Sequence, residues 1–254
     1  MNSLFSIITL QGGQLLVFQP WWDDGIRHGM TLGPRSFKGE SLSGDAAWIC
    51  RSMGASHLAL LHQTHSDTVV DLRVREQIAQ DLREYGDLMK RREGDAVLLA
   101  RQDEGEMQIA AGVMTADCVP IVVRSRDEWA LIHAGWRGLA NGIITKALKC
   151  LKGDIREAAV FAAAGPPEYE VGEEVIAAIG SPAVFTSTSA GRFALDTAAT
   201  AAKQLGSFAP NAAIAVAGIS TITDKRFHSY RRNGEAAGRS VTFVVPPPTL
   251  KEQG

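Results

Sequence analysis

The sequence predicts an α/β protein built as one domain around a mixed β-sheet core flanked by helices. Three observations carry this. Short apolar runs recur along the chain, many without the alternation of a half-exposed strand, as expected for strands covered on both faces. Between them fall amphipathic stretches with capping residues at one end and glycine at the other. Some connections are short enough to give antiparallel pairs among the parallel ones.

The predicted strands are residues 15–18, 58–61, 68–72, 96–99, 109–114, 119–123, 130–133, 160–163, 213–217 and 241–245. Helices are predicted at "SGDAAWICRSMG", with Ser43 as N-cap and Gly54 as stop, and at "LANGIITKALKCLKG", which ends in Lys149, Lys152 and Gly153. "GEEVIAAIG" and "LDTAATAAKQLG" also end on glycine, and the latter opens with the capping pair Asp196 and Thr197. Segment 73–94 is charge-rich and helix-prone, a surface cover. The tail "VVPPPTLKEQG" is expected to fray.

A chain of 254 residues with 45% hydrophobic and 21% charged residues buries a full core without staples. The formal net charge of -2 gives no support to wholesale nucleic-acid or anionic-membrane binding. Three cysteines, Cys50, Cys118 and Cys150, form no disulfide framework. The apolar N-terminal run lacks a basic leader and breaks at Gln11-Gly12-Gly13, so a cytoplasmic protein without a signal peptide is expected.

Chemistry-bearing residues gather at the ends of predicted strands, where α/β folds place their sites. "LLHQTHSDTVV" carries His62 and His65, "MTADCVPIVV" carries Asp117 and Cys118, and "LIHAGWRG" carries His133, Trp136 and Arg137. A thiolate with two imidazoles is a set that suits zinc, and three protein ligands leave a fourth position for water or substrate. Strand alternation would turn His62 and His65 to opposite sides, so one of them faces the site. The spacings match no zinc finger. The same residues also read as ordinary core, since a lone cysteine in an apolar run is commonly a small buried hydrophobe. Cys50 and Cys150 fit that description. A further stretch, "DKRFHSYRRNGEAAGRS", gathers arginines with glycines, a composition for phosphate or carboxylate recognition or for a solvated loop.

"HQTHSDTV", "TADCVPIVV", "IHAGWRGLANGI", "YEVGEEV" and "FHSYRRNGEAAGR", in this order, resemble the YfiH-like family, whose members are called polyphenol oxidases (laccase domain) or purine nucleoside phosphorylases. The resemblance spans about residues 58–245. It implies an α/β sandwich with a mixed sheet and metal ligands at His65, Cys118 and His133. It also implies an arginine near the N-terminus, for which Arg27 is the nearest match. The sequence departs from the pattern in its N-terminal "GIRHGMTLGPRSFKGESLSGD" and in the shortened loop "AAGPPEYEVGEE".

The implied activity is on purine nucleosides: phosphorolysis of adenosine, inosine or methylthioadenosine, and deamination of adenosine. Cys118, His133 and His65 would be catalytic through zinc, with Asp117 as acid/base and Arg27, Arg137, Arg231 or Arg232 holding phosphate. One alternative is copper-dependent phenol oxidation, for which six histidines are few. Another is a hydrolase of cell-wall precursors with Cys118 as nucleophile and His133 as base. The expected partners are small molecules, with no nucleic acid and no membrane.

Overall fold

The computed structural model describes residues 4–103, 107–188 and 191–248. The strands begin with β1 (Phe5–Leu10), β2 (Gly13–Phe18), β3 (Arg27–Thr31), β4 (His57–His62) and β5 (Val69–Asp71). Next come β6 (Met89–Glu93), β7 (Ala96–Ala100), β8 (Ile109–Thr115), β9 (Val119–Arg124), β10 (Glu128–Ala134) and β11 (Glu157–Val160). The last are β12 (Glu170–Val171), β13 (Phe185–Ser187), β14 (Phe193–Leu195), β15 (Ala213–Val216) and β16 (Ser240–Val245). The helices are α1 (Gln19–Asp23), α2 (Leu42–Met53), α3 (Arg75–Tyr85), α4 (Trp136–Asn141), α5 (Ile143–Cys150), α6 (Glu173–Ile179), α7 (Thr197–Phe208) and α8 (Tyr230–Asn233).

Two mixed sheets face each other. One is seven-stranded, in the order β1-β2-β3-β16-β8-β4-β6, and the other six-stranded, in the order β15-β11-β9-β10-β7-β5. A small third sheet holds β12, β14 and β13. β4 runs parallel to β8 and β6, and β5 parallel to β7, while the β9–β10 hairpin is antiparallel.

The unalternating apolar runs follow from this layering. In β10, Trp129 and Leu131 enter the core between the sheets, and Ala130, Ile132 and Ala134 enter the core under α5 and α7. In β4, Ala59 and Leu61 face the six-stranded sheet, and Leu58 and Leu60 pack with Trp48 and Ile49 of α2. Each strand thus has two apolar faces, at period two. Truncating a side chain such as Leu131, fully buried, costs about 2–5 kcal/mol.

Three connections cross between the large sheets at one end: residues 62–69 from β4 to β5, 93–96 from β6 to β7, and 115–119 from β8 to β9. His65, Asp95 and Cys118 sit on these three crossings, one on each. β10 ends beside them, because Ile132 pairs with Ala96, and His133 and Ala134 pair with Pro120 and Val119. His133 shares the parity of Trp129 and Leu131, so its ring points between the sheets. The topology therefore assembles the cluster from four places in the sequence.

Several expectations need correction. Helix 139–153 is interrupted at Gly142 (φ 76°), giving α4 and α5. α2 begins at Leu42 behind Ser41, one turn of tighter helix having preceded it, so Ser43 lies inside the helix and is not its cap. Segment 73–94 supplies helix α3 and then the edge strand β6, whose "MKRRE" carries charges that discourage further pairing. The strand expected at 160–163 is β11, which ends at Val160. Residues 246–248 are held by a bridge from Pro248 to Gln102, while the rest of the tail lies outside the described residues. Gly54 in the left-handed conformation and Asp196 accepting from Ala199 N do stop and cap their helices as expected. No helix among the described residues is long and apolar enough to cross a membrane.

Candidate metal centre and active-site cavity

The ligand atoms of His65, Cys118 and His133 all lie within 4.8 Å of one another. Cys118 Sγ is 3.7 Å from His65 Nε2. A thiolate and an imidazole bound tetrahedrally to one zinc ion would stand about 3.6 Å apart, given the usual bond lengths. The donor set and its spacing therefore fit a metal ion of that kind.

Each candidate ligand is presented by a specific backbone device. β4 ends at His62, and Gln63 continues the pairing with its side chain, donating to Met114 O (2.8 Å) and accepting from Met114 N (2.7 Å). With the strand ended, alternation no longer applies, and both His62 and His65 line the same cavity. His65 adopts a left-handed conformation (φ 60°), uncommon for a residue with a side chain. The Asp95 carboxylate holds it there, accepting from His65 N (3.0 Å), Ser66 N (2.7 Å), Ser66 Oγ (2.7 Å) and Thr64 N (3.3 Å).

The same carboxylate lies 2.7 Å from His133 Nδ1. This fixes the tautomer with the proton on Nδ1 and leaves Nε2 free to bind, the usual outer support of a histidine ligand. Asp95 is fully buried, and nothing in its local sequence marked it for this role.

Asp117 also has positive φ (93°), which turns the chain so that Cys118 meets the histidines. Its carboxylate accepts from Thr221 Oγ1 (2.7 Å) and Arg231 N (2.6 Å), and its carbonyl accepts from Ala164 N (2.8 Å). Asp117 thus lines the cavity with both side-chain oxygens engaged. Gly135 completes the enclosure. A Cβ there would stand 2.9 Å from Cys118 Sγ and 3.1 Å from His65 Cδ2, so only glycine lets the backbone pass this close.

Electrostatics couple the cluster. Burial raises the Cys118 thiol, but the positive His133 and the hydrogen bonds of both histidines outweigh it and bring the thiol down to about 6. Burial lowers His133, but Cys118 and Asp95 outweigh that and raise it to about 9. Burial pushes Asp95 up, and its bonds to His133 and Ser66 more than reverse this. Each of the two groups thus favours the charged form of the other.

Above the cluster opens a cavity of about 640 Å³. Trp136, Arg137, Tyr169 and Arg231 line one wall; Phe37, Lys38, Lys90 and Arg239 line the other. Arg137 stacks over Trp136 (4.4 Å) and Arg231 over Tyr169 (4.8 Å). Burial is the main cause that raises Tyr169 to about 12, keeping it a neutral hydroxyl.

Two expected site residues are placed elsewhere. Arg27 starts β3, stacks over Trp22 (5.2 Å) and does not line the cavity. Arg232 does not line it either. Its guanidinium donates to the carbonyls of Thr221, Ile222 and Phe227, so it braces its own loop. Lys38, Lys90 and Arg239 reach the cavity instead, and no motif had singled out the two lysines.

The family model described as multi-copper polyphenol oxidoreductase laccase matches residues 39–246. A purine nucleoside phosphorylase of Xylella fastidiosa is 36% identical over 143 residues, 52% of this chain and 55% of the relative, so the match spans about half of that protein's length. A purine nucleoside phosphorylase of Clostridium acetobutylicum is 28% identical over 73% of this chain and 75% of its own. The fold is similar to that of the YfiH protein of Bacillus licheniformis, with a TM-score of 0.78, 21% identity and coverage of 96% and 99% of the two chains. It is similar as well to YlmD of Geobacillus stearothermophilus, at TM-score 0.77 and 22% identity over 97% of this chain and 100% of the other. With the family model matching most of its length, the chain belongs to the polyphenol oxidoreductase laccase family, the YfiH-like proteins.

Proposed function

We propose that the chain is a zinc-dependent purine nucleoside enzyme that splits adenosine, inosine or methylthioadenosine with phosphate and deaminates adenosine. The observation that carries this reading is a Cys-His-His cluster at the floor of a cavity whose walls alternate aromatic rings with unpaired cations. The relatives from Xylella and Clostridium are named purine nucleoside phosphorylases, which supports purine nucleosides and phosphate as the substrate class.

His65, Cys118 and His133 would hold the zinc ion, which would supply Lewis acidity and lower the pKa of water towards about 7. The chain's own groups do the positioning. Asp95 holds the proton on His133 Nδ1 and orients the ring. Trp136 and Tyr169 line the cavity beneath their arginines and lend a purine apolar surface at its rim. Arg137 and Arg231 make no ion pair among the described residues, and their guanidinium groups suit the oxygens of phosphate. In phosphorolysis a phosphate oxygen bonds to C1′ as the C1′–N bond breaks, and the base leaves with the proton that phosphate gives up. In deamination water adds at C6 of the base and ammonia leaves.

Copper-dependent phenol oxidation has less support. Multi-copper chemistry needs several metal centres, and the described residues hold one such cluster. His28 is buried and neutral, with its pKa lowered to about 4 by burial, and its ring joins Phe18 N to Ile26 O. The polarised Cys118–His133 pair does favour one other reading, a thiol nucleophile with a histidine base. Metal analysis and nucleoside assays on the purified chain decide among them. About one zinc per chain, lost in Cys118→Ala together with phosphate-dependent release of base, is the expected result. A fully active Cys118→Ala protein without metal would sink the proposal.

A further inference from the structure

The cavity carries more positive charge than one inorganic phosphate requires. Lys38, Lys90, Arg137, Arg231 and Arg239 line it, and none makes an ion pair among the described residues. Elsewhere arginines find carboxylates: Arg35 meets Asp45, Arg73 meets Glu128, Arg92 meets Asp81 and Arg124 meets Glu157. The one carboxylate lining the cavity, Asp117, is spent on Thr221 and Arg231 N. Unpaired cations facing one cavity, in a chain of net charge -2, mark it for an anionic ligand.

These cations stand on two walls. Arg137 and Arg231 belong to the layer of the six-stranded sheet, stacked on Trp136 and Tyr169, which pack against its core. Lys38 and Arg239 belong to the layer of the seven-stranded sheet and are built together. Lys38 Nζ donates to the carbonyls of Glu235 (2.5 Å) and Ala237 (3.4 Å), and Arg239 Nη1 to those of Ala237 (3.2 Å) and Gly238 (2.9 Å). A shared carbonyl holds the ammonium beside the guanidinium. Arg239 Nε and Nη2 and the remaining ammonium proton are left for a ligand. Lys90 joins this wall from β6, where the register with β4 shifts and its own φ is 56°, the kind of bulge that redirects a side chain.

We propose that Lys38 and Arg239, with Lys90, form a second anion subsite that takes a phosphate carried by the nucleoside itself, so that the preferred substrate class is nucleoside monophosphates. This rests on the nucleoside reading above. The phosphate co-substrate lies with Arg137 and Arg231, and the bond exchange at C1′ is unchanged.

The test is titration calorimetry on the full chain as purified, with adenosine and with adenosine 5′-monophosphate, beside base-release assays on both in the presence of phosphate. The monophosphate is expected to bind about tenfold or more tightly, as one or more charge-assisted hydrogen bonds provide. That ratio should fall towards one in Lys38→Gln and in Arg239→Gln. Lys38 is exposed, so its variant keeps the test valid even if Arg239→Gln fails to fold. Equal affinity for the two ligands, with adenosine still cleaved, overturns this inference and leaves the nucleoside reading intact. A preference that survives in Lys38→Gln and Arg239→Gln also overturns it. A Lys38-dependent preference without cleavage of either ligand upholds the subsite and sinks the reading above.

Discussion

The Asp95 carboxylate and the His133 ring meet at 2.7 Å, both buried, and the main chains of the same two residues are joined by His133 N donating to Asp95 O at 2.7 Å. One residue thereby fixes the tautomer of one candidate ligand, while its remaining contacts fix the backbone of another, His65. Asp95→Asn is expected to lower metal affinity on the order of 10–100-fold with the circular dichroism spectrum retained. Competition with a chromophoric chelator measures this, and wild-type affinity in the variant would remove Asp95 from the site's support. Asp95→Ala removes the acceptor of the half-buried amides of His65 and Ser66 and should loosen the loop that presents His65.

Gly135→Ala places a methyl group 2.9 Å from Cys118 Sγ and 3.1 Å from His65 Cδ2. Thiol and ring must then part. The expected outcome is loss of bound metal with little change in the melting temperature of the metal-free protein, since no core side chain is touched. Elemental analysis beside a thermal melt distinguishes this from general unfolding.

The Cys118 thiol, brought down to about 6, gives a pH signature in metal-free protein. Its folded pKa lies below that of a free cysteine, so the reactive thiolate appears as pH rises through about 6. The alkylation rate at Cys118 should therefore be near its plateau by neutral pH, where Cys50, raised by burial, is still mostly protonated. Peptide-resolved mass spectrometry after iodoacetamide treatment reads each site separately. Added zinc should protect Cys118; undiminished alkylation with zinc present would mean the thiol is not a ligand.

Arg137 stacks on Trp136 and lines the cavity with no carboxylate partner among the described residues. Arg137→Gln should raise the KM for phosphate about tenfold or more, as expected for loss of a charge-assisted contact, and leave metal content at the wild-type level. An unchanged KM for phosphate would move the co-substrate away from this wall.

Much of the fold was legible because its signals are local. Gly54 and Asp196 end and begin helices through their own backbone and side-chain chemistry. The doubly apolar β10 announced a strand buried on both faces. What was hidden depended on partners distant in sequence. β6, with its charged "MKRRE", carries no apolar pattern and is a strand because β4 offers it an edge. His62 and His65 were separated by an alternation that stops where β4 stops, and Gln63 bonding to Met114 is invisible without β8. Arg27 and Arg232 were chosen by charge and motif, but charge does not reveal direction. One stacks on Trp22 and the other is consumed by carbonyls of its own loop.

The sequence by itself determined the layered α/β class, the strand ends at which chemistry gathers, and the residue types Cys118, His65 and His133 that suit a metal. Those properties reside in periodicity and in side-chain chemistry, which need no neighbour to be read. Only the tertiary structure decided that three crossings between two sheets bring His65, Asp95 and Cys118 to the end of β10, and which cations face the cavity they enclose. Position in space is set by sheet order and register, and these arise from burial of both faces of every central strand at once, a condition that no single segment encodes.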